Sequence, residues 1–225
     1  MVTSEIISRV LRISVGTKSG STFTMEYDGS QFLVTAKHLF EPLGYPSKAA
    51  IKILQDSGYQ NYDVEIRYPS SHTIDIAVMK LTPYQTLTAF CGNENTTADM
   101  SIGQDVYFLG FPYDFDSLLQ RSPFGNSPVP FVKKACLSSI IKSGQDILLL
   151  LDGHNNPGFS GGPVCFSSAN KKLMSVAGVI SGSRHSKQAI VDEENNPQAY
   201  YWKENTGIIY AYSIRHAVDI AKNWV

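Results

Sequence analysis

Apolar residues recur along this chain mostly in short runs, alternating with polar ones or rich in β-branched side chains, and turn residues bound them. That pattern predicts strands. Six are expected near Ile6–Ser14, Ser21–Glu26, Gln31–Thr35, Ala49–Leu54, Asp63–Tyr68 and Ile74–Leu81. Six more follow near Asp105–Gly110, Val129–Ser139, Ile147–Leu151, Pro163–Phe166, Leu173–Ser181 and Gly207–Tyr212. Between the sets, Thr82–Met100 carries Gly92, Asn93 and Asn95 and reads as a crossing segment, which divides the chain into 1–90 and 91–225. Pro112–Pro128 and Ser183–Thr206 are long and polar and read as loops of the functional or mobile kind. One helix is expected, at the end: Ser213 can cap it, and Ile214, Ala217, Val218, Ala221 and Trp224 share one face. The expected fold is all-β, with two six-stranded antiparallel β-barrels and a C-terminal helix, because closure removes exposed strand edges.

Composition narrows the function classes. The 225 residues are 43% hydrophobic, enough for a substantial core. Lys plus Arg number 19 against 20 for Asp plus Glu, a net charge of -1 that argues against a polybasic nucleic-acid surface. No run approaches the roughly 18 apolar residues of a membrane-spanning helix. Glu5, Ser8 and Arg9 interrupt the N-terminal apolar run that a secretory signal needs. The three cysteines, Cys91, Cys136 and Cys165, are too few for a disulfide framework and favour a reducing compartment, so a cytoplasmic location is expected. They lack metal-ligand spacing, so neither a zinc site nor a cofactor is expected. Lys133-Lys134 and Lys171-Lys172 read as solvated charge pairs.

The segment with most chemistry is Asn156-Pro157-Gly158-Phe159-Ser160-Gly161-Gly162-Pro163-Val164. Small neighbours leave the Ser160 hydroxyl reachable, and Gly158 lets the backbone turn until two N–H groups face one point. Such a pair stabilises an oxyanion, each donor being worth about 3 kcal/mol in comparable sites. A serine needs a base near neutral pH, and histidine is the natural one. Of the five histidines, His38 follows the apolar run Phe32-Leu33-Val34-Thr35-Ala36-Lys37, whereas His72, His185 and His216 read as surface or helix residues. The imidazole in turn needs an orienting acid. Asp75, in Thr73-Ile74-Asp75-Ile76-Ala77-Val78, is an acid that is costly to bury unless hydrogen-bonded.

Together these motifs resemble the trypsin-like, chymotrypsin-fold serine endopeptidases. Thr35-Ala36-Lys37-His38 looks like their Thr-Ala-Ala-His, and Asp75-Ile76-Ala77-Val78-Met79-Lys80-Leu81 is similar to their Asp-Ile-Ala-Leu-x-Lys-Leu strand. Gly158-Phe159-Ser160-Gly161-Gly162-Pro163 matches Gly-Asp-Ser-Gly-Gly-Pro at all but one position, and Gly178-Val179-Ile180-Ser181-Gly182 resembles the edge strand that binds substrate backbone. The resemblance implies that His38 is the general base, Asp75 its orienting acid and Ser160 the nucleophile. It puts the oxyanion hole at the N–H groups of Gly158 and Ser160, and has Ser181 hydrogen-bond Asp75. It also places His154 at the floor of the specificity pocket, with Ser181, Gly182 and Ser183 as one wall. A histidine there selects a polar or acidic side chain, or is neutral and turned away; both remain open.

The departures are informative. Leu39 stands where digestive members have cysteine, and Phe159 where they have the aspartate that receives a new N-terminal ammonium. No Ile-Val-Gly-Gly start is visible near Met1, so activation by propeptide cleavage is not expected. Asn156-Pro157-Gly158, Gly20-Ser21-Thr22-Phe23 and Ile102-Gly103-Gln104-Asp105-Val106 through Gly110-Phe111-Pro112 resemble the HtrA group, here as a bare protease domain without a PDZ domain. The expected partner is a protein or peptide substrate, with no nucleic acid and no membrane. An activating protein partner that orders the loops Pro112–Pro128 and Ser183–Thr206 stays open.

Two rivals belong to other classes. A protease fold used as a catalytically silent or latent binding module is the first. The second is an esterase, since Gly158-Phe159-Ser160-Gly161-Gly162 also fits the α/β-hydrolase nucleophile elbow, with Asp192 and His216 in the required order. The elbow demands a helix straight after the serine, and Pro163-Val164-Cys165-Phe166 reads as a strand.

Overall fold

The computed structural model describes residues 1–90, 95–114, 128–168, 174–194 and 196–224. A short helix α1 (Ser4–Ser8) precedes strands β1 (Val10–Val15), β2 (Lys18–Tyr27), β3 (Ser30–Thr35), β4 (Lys48–Gln55), β5 (Gly58–Arg67) and β6 (Ala77–Leu81). These close a barrel in the order β1-β2-β3-β6-β5-β4, sealed where Ile13 of β1 pairs with Ile53 of β4. Strands β7 (Asp105–Gly110), β8 (Phe131–Ser143), β9 (Asp146–Asp152), β10 (Pro163–Ser167), β11 (Met174–Val191) and β12 (Pro197–Ser213) close a second barrel in the order β10-β11-β12-β9-β8-β7. Helix α2 (Arg215–Lys222) ends the fold. Among the described residues no helix is long and apolar enough to cross a membrane.

Three buried clusters explain the hydrophobic pattern. In β4, Ile51 and Ile53 point into the first barrel while Lys52 between them is exposed, the period of two expected of a half-buried strand. The second barrel is filled by residues such as Phe108, Leu149, Leu151, Phe159 and Phe166. A third cluster lies in the seam, where Phe23, Met25, Phe32, Val34 and Val78 of the first barrel meet Leu109, Cys165, Val176 and Val179 of the second. Strands at the seam are buried on both faces, which is why Phe32-Leu33-Val34 reads as a continuous apolar run. Burial pushes the Cys165 thiol up to about 12, so it is a packing residue and an unreactive one.

Helix α2 ties the barrels together. Ala217 and Ala221 are buried in the seam, and the Trp224 ring lies 5.5 Å from that of Phe32. From the first barrel, Arg67 of β5 donates to the Asn223 carbonyl at 2.8 Å and stacks 4.3 Å from the Trp224 ring. From the second, the backbone N–H of Ile147 in β9 donates to His216 Nε2 at 3.2 Å. Burial pushes the His216 imidazole below its ordinary value, which suits that acceptor role.

Several expectations are corrected. The stretch from Ile6 begins as helix, because Ile6 and Ile7 sit side by side without alternation, and only Ile6 is fully buried. Strand β6 starts at Ala77, so Ile74, Asp75 and Ile76 precede it. Ser183–Thr206 is no loop: β11 and β12 continue through it as a ribbon, paired out to Val191 and Pro197. Ile214, not Ser213, is the capping position of α2, although Ser213 Oγ accepts the Arg215 N–H at 3.3 Å. Cys91, Lys171, Lys172, Leu173 and most of Pro112–Pro128 lie outside the described residues.

Candidate active site

The site lies in the seam, built from both barrels. His38 opens a 3-10 turn (Lys37–Leu43) directly after β3, and Leu39 and Phe40 of that turn plug the first barrel. Asp75 is fixed by its neighbours: Ile74 and Ile76 are buried in the seam cluster, so the carboxylate between them turns the other way. Its Oδ1 accepts the His38 backbone N–H at 2.8 Å, and its Oδ2 faces His38 Nδ1 at 2.7 Å. Ser181 Oγ donates to the same Oδ2 at 2.5 Å. Burial pushes the Asp75 carboxyl up, but the bonds from the His38 ring, the Ser181 hydroxyl and the His38 backbone outweigh it, and the group stays below the usual value. Because an ionised carboxylate only accepts, Nδ1 carries the imidazole proton and Nε2 is left as the basic nitrogen.

Ser160 sits in a tight turn of the second barrel. Phe159 is fully buried and packs edge-on against Phe108, with ring centroids 5.0 Å apart. Gly161 has a φ of 84°, and a Cβ there would lie 2.1 Å from the Ser21 carbonyl, so only glycine fits. Ser160 Oγ donates to the Ser181 carbonyl at 3.3 Å, and among the described residues no hydrogen bond joins it to the His38 ring.

The oxyanion geometry follows from where the neighbouring carbonyls go. The Pro157 carbonyl accepts the Tyr113 N–H at 2.9 Å. In a trans peptide C=O and N–H point oppositely, so the Gly158 N–H faces away from Tyr113. The next carbonyl, of Gly158, accepts Ser21 Oγ at 2.7 Å. Among the described residues neither the Gly158 nor the Ser160 N–H has a protein partner, so both are open to an acceptor from outside the chain.

Ser21, on β2 of the first barrel, escaped the sequence reading as a site residue. Its backbone N–H donates to the Ser160 carbonyl at 2.8 Å, and its hydroxyl accepts the Phe111 N–H at 3.0 Å while donating to Gly158. Ser21→Ala therefore strands one buried donor and one buried acceptor. A loss of about 2 kcal/mol is expected, read as a fall in melting temperature of about 6 °C. An unchanged melting temperature would show that the hydroxyl holds nothing.

Beside Ser160 a cleft of about 660 Å³ opens, and His154, Gly182 and Ser183 are in its lining. Ser181 is not in the lining; it faces Asp75 and Ser160 instead. The ribbon adds residues that the sequence reading left out, among them His185, Trp202, Lys203 and Glu204. His185 is thus a cleft residue, whereas His72 is exposed and His216 is buried in α2. Lys134 is exposed as expected and lies 2.8 Å from Asp105, but Lys133 turns to the site, its Nζ 2.7 Å from the His154 carbonyl. Strand β10, not a helix, follows Ser160, which removes the nucleophile-elbow reading.

The sequence profile described as trypsin-like peptidase domain matches residues 20–174. No curated protein sequence matches. Among solved structures, the HtrA-type protease AlgW with tripeptide superposes with a TM-score of 0.59 at 17% identity, over 97% of this chain and 60% of that one. The chain therefore spans less than two thirds of AlgW's length. Deg5 gives 0.57 at 16% identity, over 96% and 88% of the two chains. An inactive form of the Rv3671c protease gives 0.56 at 15%, over 96% and 89%. At these identities the likeness is one of fold.

Proposed function

The chain belongs to the trypsin-like peptidase family, and from that membership we propose that it is a serine endopeptidase, with Ser160 as nucleophile, His38 as general base and Asp75 as orienting acid. The observation that carries the reading is the Asp75 carboxylate gripping both the ring and the backbone of His38. That grip fixes the tautomer whose Nε2 can take a proton.

The chemistry needs no cofactor. Ser160 Oγ exchanges its bond to the Ser181 carbonyl for one to His38 Nε2, then attacks the scissile carbonyl carbon as its proton passes to Nε2. The tetrahedral oxyanion is met by the Gly158 and Ser160 N–H groups. Collapse breaks the C–N bond, and His38 gives its proton to the departing amine, leaving an acyl ester on Ser160. Water, deprotonated by His38, attacks that ester, and the second collapse returns the proton to Ser160.

The cleft supports a substrate class. In its lining His154 and His185 offer ring N–H donors and Lys203 an ammonium, against one carboxylate, Glu204, whose Oε2 already accepts Gln188 Nε2 at 2.9 Å. That balance favours an acidic or amide side chain next to the scissile bond. Digestion of a diverse peptide library, read by mass spectrometry, is expected to show Glu or Gln at that position favoured about tenfold over Lys or Arg, a difference of about 1.4 kcal/mol. Preference for a basic residue would remove the assignment.

A second reading, a silent or latent module, is favoured by the Ser160 hydroxyl resting on the Ser181 carbonyl. The same library with wild type and Ser160→Ala separates the two: a latent module gives no Ser160-dependent cleavage until a partner is added. The sparse cysteines support a cytoplasmic location, which fractionation of the source cells tests.

A further inference from the structure

The resemblance leaves one mechanical problem. Phe159 stands where digestive members have the aspartate that receives a new N-terminal ammonium, so in this chain the turn beside Ser160 is held by other groups. Lys133, on β8, stands behind it. Its Nζ donates to the His154 carbonyl at 2.7 Å and to Asn156 Oδ1 at 2.5 Å, and lies 5.6 Å from the Phe159 ring centroid. One ammonium thus touches the residues four and six before the nucleophile and covers the residue next to it. Asn156 passes the connection on, its Nδ2 donating to the Tyr113 hydroxyl at 3.0 Å. Tyr113 in turn donates its N–H to the Pro157 carbonyl at 2.9 Å.

Tyr113 holds a left-handed backbone, with φ 52° and ψ 31°. A non-glycine residue there carries strain of about 1 kcal/mol or more, kept only where the surroundings impose it. Here both ends are held, the hydroxyl by Asn156 and the N–H by Pro157. The bond to Pro157 is the one that turns the Gly158 N–H outward. Burial pushes the Lys133 ammonium below its ordinary value, yet it still serves two acceptors and a ring face.

We propose that Lys133 is a built-in latch for the oxyanion turn: by clamping the His154 carbonyl to Asn156, and through Asn156 holding Tyr113, it keeps the Gly158 N–H aimed at the substrate oxygen. It is a positioning residue, touching no reacting atom, and its role rests on the serine-peptidase reading above.

The test compares wild type, Lys133→Met, Lys133→Arg, Asn156→Ala and the Lys133→Met/Asn156→Ala double variant. Three readouts are taken: fluorophosphonate labelling rate, kcat and KM on a cleaved peptide, and hydrogen exchange across residues 153–162. Lys133→Met is expected to lower kcat and the labelling rate about 10- to 100-fold, short of the full loss of an oxyanion donor. KM should stay within about threefold, and arginine, which also donates to two acceptors, should restore most of the rate. The double variant should be no worse than the worse single one, since both break one connection. Exchange should quicken in 153–162 while both barrels keep their protection. Unchanged labelling and exchange in Lys133→Met would overturn the latch, and so would faster exchange throughout the barrels, which marks a general structural role. If wild type is never labelled but exchange in the turn still depends on Lys133, the peptidase reading falls and the latch stands.

Discussion

Ser160→Ala is expected to lower peptide hydrolysis by a factor on the order of 10⁶ and to abolish the covalent fluorophosphonate adduct. The size follows from what remains. The Gly158 and Ser160 N–H groups belong to the backbone and survive the substitution, so some polarisation of the substrate carbonyl persists. The only hydroxyl in that turn is gone, however, and the acyl ester cannot form. The fold should not notice: the lost hydroxyl made one long bond, 3.3 Å to the Ser181 carbonyl. A stability change below about 1 kcal/mol is expected. Steady-state rates, intact-mass spectra after probe treatment and a melting curve check the three claims. Wild-type turnover by the alanine variant would move the nucleophile elsewhere.

Asp75→Asn should cost about 10⁴ in kcat through a different failure. Three donors converge on the Asp75 carboxylate: His38 N–H, His38 Nδ1–H and Ser181 Oγ–H. A carboxamide offers one oxygen and one NH₂ in place of two oxygens, so at least one donor is stranded, and two if the NH₂ takes the place of Oδ2. If the NH₂ faces Nδ1, the imidazole proton moves to Nε2 and Ser160 loses its base. The substitution also has a pH signature. The folded carboxyl lies below its ordinary 3.8, so in acid the unfolded chain binds more protons than the folded one, and stability rises with pH there. The stabilisation is complete above the unfolded value and is lost as pH falls through the folded one. The gap in melting temperature between wild type and Asp75→Asn should therefore be widest above about pH 5 and shrink below about pH 3.8. A gap independent of pH would mean that the Asp75 charge does not support the fold. Retention of most activity would put the orienting role elsewhere.

The segments that the fold gathers around His38, Asp75 and Ser160 stand out in the sequence because the resemblance rests on fixed residue types in short, constrained stretches. The barrels were legible because half-buried strands print a period of two, as Ile51-Lys52-Ile53 does. The ribbon of β11 and β12 was read as a loop for the converse reason. Its outer part meets solvent on both faces, with Tyr200 75% and Trp202 59% exposed, so no apolar alternation marks it. Ser21, Tyr113 and Lys133 were invisible as site residues for yet another reason. Their main partners are backbone carbonyls and N–H groups far along the chain, and a carbonyl leaves no trace in the identity of the residue that bears it.

The order of the strands also sets a timetable. Synthesis delivers His38 and Asp75 first, inside a barrel whose six strands end at Leu81. Ser160 emerges later, but the second barrel stays open until β12 slides between β9 and β11. The helix that bolts the two halves together, reaching Arg67 on one side and Ile147 on the other, follows β12 in the chain. On the serine-peptidase proposal, a growing chain holds its base and orienting acid early, gains its nucleophile late, and has no means to bring them into register before β12 and α2 follow. On that proposal, the polysome that makes the chain is spared until the closing strand and helix α2 have been translated.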